Sequence, residues 1–133
     1  GSENMSRAAM LKPSQGIAGI REFVIDAVKA AGPNPCPPII VGVGVGGTSD
    51  YAALLAKQAL TRPVGSSSEN WIWSGLEREL LEAINALDIG PAGLGGRTTA
   101  LAVHIKTFPT HIAGLPVAVS IGCHSTRHVE ITL

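Results

Sequence analysis

The sequence has few charged residues, few aromatic residues and no long hydrophobic run. Charged residues make up 15% of its 133 residues, and the 10 basic and 10 acidic side chains cancel. No stretch concentrates Lys or Arg into the basic footprint that binding to nucleic acid or to an anionic membrane requires. The longest apolar run, Pro37 to Val45, is less than half of a membrane span, and the first residues do not show the basic and apolar pattern expected of a signal sequence. These absences disfavour nucleic acid and membrane as partners and predict a soluble, cytoplasmic protein.

The residues that are present predict a folded domain. Hydrophobic residues make up 45% of the chain, which is far from the composition of disordered proteins, and the length fits one domain or a piece of one. Aromatic residues are only 4%, whereas glycine occurs 16 times. This balance favours backbone-rich loops around a small or charged ligand over an aromatic cleft.

The hydrophobic patterning predicts an α/β fold with a mixed sheet and flanking helices. Residues 39–45 are almost uniformly apolar and β-branched, which is typical of a central strand covered on both faces. Trp71 and Trp73 are expected to be packing residues, and residues 1–16 look polar and turn-rich. The predicted helices are 17–31, 48–60 and 71–87, and the other predicted strands are 100–106, 116–121 and 129–133.

The glycine-rich stretch from Gly42 to Gly47 lies between a predicted strand and a predicted helix. Its backbone amides and the helix N-terminus could bind an anion, or its glycines could serve close packing between strand and helix. A dinucleotide site is less favoured, because the segment about 20 residues further on is a polar loop rather than a second strand with a terminal acid. A P-loop is excluded because no Lys-Ser or Lys-Thr follows.

The two cysteines, Cys36 and Cys123, are far apart in the chain and form no CxxC pair. Taken alone, they could be buried thiols that behave as small hydrophobic residues. The last third of the chain also holds the histidines His104, His111, His124 and His128. Their spacing matches no standard zinc site, and a thiol nucleophile would need a positioned base, so both of these interpretations rank low.

Five segments occur in an order and approximate spacing that resemble class I fumarases and L-tartrate dehydratase alpha subunits. The resemblance covers almost the whole chain and is closer to the two-subunit bacterial and archaeal type than to the single-chain type. It identifies residues 1–133 as the C-terminal portion of the iron–sulfur hydro-lyase alpha domain. The segments are Gly1 to Ser6, Cys36 to Pro38, Gly42 to Asp50, Gly93 to Ala100 and Leu115 to His124.

The resemblance implies an oxygen-sensitive lyase that reversibly adds or removes water on a C4 dicarboxylate, either fumarate/malate, as in the tricarboxylic acid cycle, or tartrate/oxaloacetate. In that family three cysteines hold a [4Fe-4S] cluster, and its fourth iron binds substrate. By resemblance Cys36 and Cys123 are two of the three metal ligands. The third cysteine is expected outside this chain.

The resemblance also implies roles for residues outside the cysteine segments. Gly1 and Asn4 resemble the loop that contacts the dicarboxylate, His111 resembles an active-site histidine, and Arg127 matches a family arginine. The expected partners are a beta subunit or region of the same enzyme and further copies in an oligomer. The chain alone is expected to be an inactive fragment. The alternatives are a stand-alone anion-binding module that uses the turn from Gly42 to Asp50, and a structural subunit.

Overall fold

A computed structural model of the chain describes residues 6–32, 38–87, 99–110 and 114–122. These residues form four strands, three α-helices and a short 3-10 turn. In chain order they are β1 (Arg7–Leu11), the turn (Pro13–Gln15), α1 (Gly16–Ala31), β2 (Ile39–Gly47), α2 (Ser49–Ala59), α3 (Trp71–Asn85), β3 (Ala100–Thr110) and β4 (Leu115–Gly122).

The four strands form one mixed sheet in the order β1-β4-β2-β3. β2 pairs in parallel with β3, whereas β4 runs antiparallel to both of its neighbours, β2 and β1. The predicted α/β class is therefore confirmed, and the strand predicted to be central, β2, lies in the interior of the sheet.

Alternate residues of β2 face two different helical layers. Val41, Val43 and Val45 belong to the main hydrophobic core with residues of α1 and α3, and Val41 and Val43 have no exposed surface. Gly42 and Gly44 face the other way, toward α2. The period-two alternation of a strand thus produces a three-layer arrangement, with helices on both faces of the sheet.

Helix α2 lies directly on the backbone of β2 because two of the facing residues are glycines. A β-carbon on Gly42 would overlap the carbonyl oxygen of Ala56, and one on Gly44 would overlap that of Ala52. Such close approach is open only to residues without a side chain. The packing interpretation of the glycine-rich stretch therefore holds for these two positions.

The helices begin and end where local signals predict. The Thr48 hydroxyl accepts a hydrogen bond from the Tyr51 amide at 3.2 Å and caps α2. The Asn70 side chain accepts from the Ile72 amide at 2.9 Å and caps α3. At the end of α1, Gly32 has a φ of 54° and its amide donates to Val28, so glycine closes the helix as expected.

Two expectations were wrong and one lies outside the described residues. Residues 7–11 form the edge strand β1, although the sequence there looked turn-rich. Arg7 and the alanines after it have little strand preference, so pairing with β4 decides their conformation. Trp73 packs against the core as expected, but Trp71 is 81% exposed at the first position of α3. The strand predicted at 129–133 falls outside the described part of the chain.

A partly buried ion pair covers part of the β3 edge. The Arg62 guanidinium contacts the Glu77 carboxylate at 2.7 Å, and Glu77 also accepts from the amides of Ser68 at 2.9 Å and Ile105 at 2.7 Å. Arg62 completes the contact by donating to the Ile105 carbonyl oxygen. These bonds satisfy strand groups that would otherwise lie open at a sheet edge. Among the described helices, none has both the length and the apolar character needed to cross a membrane.

Candidate active site

All five site residues predicted from the sequence lie outside the described residues. They are the metal ligands Cys36 and Cys123, the catalytic residue His111 and the substrate-binding residues Gly1 and Asn4. Arg127 also lies outside the described residues. The strand ends next to these positions are described, and they locate the points at which the chain leaves the sheet.

The strand ends next to the two cysteines are neighbours. Cys123 directly follows Gly122, the last residue of β4, and Gly122 pairs with Ile40 near the start of β2. Cys36 lies a few residues ahead of Ile39, where β2 begins. Paired residues on antiparallel strands lie about 5 Å apart at their α-carbons. The segments that carry the two cysteines therefore join the sheet side by side.

Two more family-like segments join the sheet at the same end. Ser6 follows the Gly1–Asn4 segment in the sequence. Its hydroxyl accepts a hydrogen bond from the Ile121 amide at 3.4 Å. Thr99 follows the glycine segment at 93–98. Its carbonyl oxygen accepts a hydrogen bond from the Ile39 amide at 2.9 Å. We call this the cysteine end of the sheet, marked by Ser6, Ile39, Thr99 and Gly122.

The base of the cysteine end is desolvated. Ile39, Thr99, Ala100 and Ile121 are each at most 3% exposed. In such surroundings hydrogen bonds are electrostatically stronger than in water, and their geometry is well defined. The described residues contain no group of three or more metal-ligating side chains, so ligands for a metal at this end would have to come from outside the described residues.

The strand ends next to His111 lie at the opposite end of the sheet. His111 directly follows Thr110, which pairs with Gly47 at the end of β2. The chain returns at Gly114, before β4 begins at Leu115. The eight residues of β4 then span about 23 Å to the cysteine end, at about 3.3 Å per residue. We call this opposite end the glycine-turn end. Within one copy, the strand ends that adjoin His111 and those that adjoin the cysteines therefore lie at opposite ends of the sheet.

The histidine that the structure describes, His104, is buried on the α2 side of β3. Its Nδ1 lies 3.2 Å from the carbonyl oxygen of Ala59, so Nδ1 carries the proton and donates. Its Nε2 is buried and has no hydrogen-bond partner among the described residues. Burial, and secondarily the positive charge of Arg62, lower the pKa of His104, against the opposing effects of the Ala59 carbonyl and Glu77. His104 is a buried residue with a lowered pKa, and it belongs to no group of metal-ligating side chains among the described residues.

Two cavities lined by described residues lie away from the cysteine end. One, of about 320 Å³, runs between α3 and β3 and is lined in part by Arg78 and His104. The other, of about 380 Å³, lies at the glycine-turn end and is lined by Trp73, Phe108 and Leu115 among others. Residues 39, 99 and 122, which mark the cysteine end, line neither of them.

One residue at the cysteine end was not predicted from the sequence. Asn85, the last residue of α3, hydrogen-bonds through its side chain to the backbone of Thr99 and Ala100. A single Asn near a predicted helix end carries no signal of such a contact. Only the placement of α3 along β3 reveals it.

The class of protein follows from comparison with known families. The sequence profile of the family described as "Fumarate hydratase (Fumerase)" matches residues 1–132. The chain belongs to this family, and the resemblance inferred from its motifs is confirmed.

Two curated relatives are named as tartrate dehydratase alpha subunits. The chain is 53% identical over 127 residues to a Methanocaldococcus jannaschii protein named "Putative L(+)-tartrate dehydratase subunit alpha", covering 96% of this chain and 45% of that protein. It is 40% identical over 132 residues to the "L(+)-tartrate dehydratase subunit alpha" of Escherichia coli K12, covering 95% of this chain and 44% of that protein. The chain therefore spans less than half the length of these relatives.

Proposed function

We propose that this chain forms part of an iron–sulfur hydro-lyase that reversibly adds water to, or removes it from, a C4 dicarboxylate. Two observations support the proposal. The chain belongs to the fumarate hydratase family. In addition, the pairing of Ile40 with Gly122 brings the segments of both cysteines to one end of the sheet. This pairing is the structural observation on which the proposal depends most.

Cys36 and Cys123 would hold a [4Fe-4S] cluster together with a third cysteine from outside the 133 residues. The chain fits such a group in two respects. Thiolates are the usual protein ligands of iron–sulfur clusters, and the base of the cysteine end is desolvated, which influences cluster potential. When bound, the cluster supplies an iron that acts as a Lewis acid toward the hydroxyl and carboxylate of the substrate.

The Gly1–Asn4 segment would contact the dicarboxylate at the same end. Ser6, which follows it, is joined to Ile121 next to the end of β4. Backbone amides and the Asn4 side chain are suitable donors to a carboxylate. This placement supports a substrate site beside the cysteines.

His111 would act as a proton donor or as a residue that orients substrate. Because its neighbours Thr110 and Gly114 lie at the opposite end of the sheet from Gly122, we assign His111 to the site of a second copy in the assembled enzyme. The chain would then work in an oligomer, together with a beta subunit, in the cytoplasm.

The substrate would be a hydroxy-dicarboxylate of four carbons, malate or tartrate. The names of the two relatives favour L(+)-tartrate, whereas the family description favours fumarate and malate. Assaying fumarate hydration and L-tartrate dehydration side by side distinguishes the two.

The alternative function, a stand-alone anion-binding module at the turn from Gly42 to Asp50, has less support. Gly42 and Gly44 are committed to packing against α2. Asp50 lies in the first turn of α2, so a carboxylate already occupies the position that favours a bound anion.

Anaerobic iron and sulfide analysis of the full-length enzyme with its partner subunit tests the proposal. Cys36→Ser and Cys123→Ser should each lose cluster iron and hydro-lyase activity, because a neutral hydroxyl is a poor substitute for a thiolate. Ser67→Ala, on an exposed loop, serves as the control and should keep both. Full iron content in both cysteine variants would contradict the proposal.

A further inference from the structure

Two side chains of α3 pair with the backbone along the outer edge of β3. Glu77 accepts a hydrogen bond from the Ile105 amide at 2.7 Å. Two turns later, Asn85 accepts from the amides of Thr99 and Ala100, both at 2.8 Å, and donates to the Ala100 carbonyl oxygen at 3.2 Å. These two side chains thus satisfy backbone groups at the outer edge of β3.

The contacts of Asn85 continue toward the cysteine end. The Thr99 amide donates to Asn85. The Thr99 carbonyl oxygen in turn accepts a hydrogen bond from the Ile39 amide at 2.9 Å. Ile39 is the first residue of β2 and stands a few residues after Cys36. A short series of hydrogen bonds therefore joins the end of α3 to the segment that carries Cys36.

Asn85 is not needed to close its own helix. The Ala86 amide donates to the carbonyl oxygens of Glu82 and Ile84, so the backbone ends α3 without the Asn85 side chain. The side chain instead uses both of its functions on β3, since a planar amide offers an acceptor and a donor together. Aspartate would lose the donor, and leucine would lose both.

We propose that Asn85 is a positioning residue for the cysteine end: it fixes Thr99 and Ala100, and through them the start of β2 after Cys36. This inference rests on the proposed function, because the consequence of a displaced start of β2 is a displaced thiolate. Groups that orient the ligands of a metal affect its binding and potential without touching it.

Asn70 provides a matched control at the other end of the same helix. Its side chain accepts from the amides of Ile72 at 2.9 Å and Trp73 at 3.4 Å and therefore serves only the start of α3. Removing either asparagine removes side-chain hydrogen bonds to two backbone amides. Only Asn85 connects to the cysteine end.

The test compares Asn85→Asp, Asn85→Ser and Asn70→Ala in the full-length enzyme with its partner subunit, reconstituted anaerobically. Three quantities are measured: the urea midpoint of unfolding, the rate of cluster loss to an iron chelator followed by visible absorbance, and the reduction potential of the cluster. Asn85→Asp preserves shape, so it remains informative if Asn85→Ser folds poorly.

Asn85→Ser should lose the cluster about tenfold faster than the unaltered enzyme, with a shifted reduction potential. Asn85→Asp keeps the acceptor for the Thr99 and Ala100 amides, but it replaces the donor to the Ala100 carbonyl oxygen with a carboxylate oxygen, so changes in the same direction are expected. Asn70→Ala should lower the urea midpoint of unfolding by about as much as the Asn85 variants do. It should leave the rate of cluster loss and the reduction potential unchanged. If the Asn85 variants show the same rates of cluster loss and the same potentials as Asn70→Ala, the positioning role of Asn85 is overturned and the proposed function is not. Absence of a cluster in the unaltered enzyme would overturn the proposed function as well.

Discussion

Gly44 of β2 lies against the carbonyl oxygen of Ala52 in α2, so closely that the helix and the strand share a backbone-to-backbone surface. A β-carbon at position 44 would overlap that oxygen and would stand 2.7 Å from the Ala56 amide nitrogen. Both contacts are with backbone, which cannot move aside as a flexible side chain can. The alternating glycines of β2 therefore set the distance between α2 and the sheet.

Gly44→Ala should destabilise the fold by about 1–3 kcal/mol, since α2 must shift away from β2 to admit the methyl group. The control is Gly75→Ala, in the middle of α3, where an added β-carbon meets nothing within 4 Å. That change should stabilise by about 0.5–1 kcal/mol, because alanine is the better helix former. Urea unfolding measures both. Equal effects in the two variants would contradict the close packing of α2.

His104 should make stability fall as the solution becomes acidic. Burial, with the positive charge of Arg62, lowers the pKa of His104 below its usual value of about 6.5. The unfolded chain then binds more protons than the folded one, so this contribution is complete above about pH 6.5 and is lost as the pH falls below it. Its buried Nε2 has no acceptor for the added proton among the described residues.

Urea unfolding at a series of pH values from acid to neutral tests this prediction. The chain has four histidines, so the change due to His104 must be isolated. His104→Leu should be less stable than the unaltered chain at neutral pH, because it loses the bond to the Ala59 carbonyl. Its stability should nevertheless vary less with pH. An unchanged pH dependence would assign the effect to the other histidines.

The sequence predicts the helices and the central strand because their signals are local. Thr48 and Asn70 cap α2 and α3 at the predicted starts, and the apolar run that begins at Ile39 becomes the buried strand β2. Strand β1 was missed because Arg7 and its neighbours form a strand only through pairing with β4. The expectation for Trp71 is wrong because residues two positions apart in a helix do not share a face, so Trp71 points away from the core that Trp73 contacts.

The candidate site depends still more on long-range information. No local pattern shows that Gly122 pairs with Ile40, yet this pairing brings together the strand ends that adjoin Cys36 and Cys123 in the sequence. The role of Asn85 likewise requires that α3 lie beside β3. The resemblance to the family supplied the proposed site residues, and the topology added which of the adjoining strand ends lie at the same end of the sheet.

His111→Asn should lower hydro-lyase turnover of the complete enzyme by about 10²-fold or more, as expected for loss of a proton donor. Its melting temperature should stay near that of the unaltered enzyme, because a role in turnover does not require a role in folding. Steady-state rates and thermal unfolding measure the two effects. Normal turnover would make His111 an ordinary loop residue.

Co-expression tests whether His111 serves a second copy. A dimer that combines one His111→Asn copy with one Cys123→Ser copy has one site with both residues intact, provided that His111 acts across the interface. Random mixing should then restore activity at about a quarter of all sites. If His111 and Cys123 act within one copy, every mixed dimer lacks an intact site and activity stays absent.

The 133 residues alone should show no hydro-lyase activity and hold no intact cluster, even after anaerobic reconstitution with iron and sulfide. The sequence contains two cysteines, and two thiolates cannot replace the three that the proposed cluster requires. The exposed Trp71 and Phe108 add apolar surface of the kind that marks an interface, so the isolated chain should also self-associate. Light scattering measures that association.

Reconstitution followed by assays of fumarate hydration and L-tartrate dehydration tests this last prediction, with and without the remainder of the alpha subunit and the beta subunit added in trans. Activity should appear only when the added polypeptides bring a third cysteine, because cluster assembly depends on the complete thiolate set. Adding the same polypeptides with that cysteine changed to serine should restore nothing. Turnover by the 133 residues alone would show that Cys36 and Cys123 suffice, or that the reaction does not use a three-cysteine cluster.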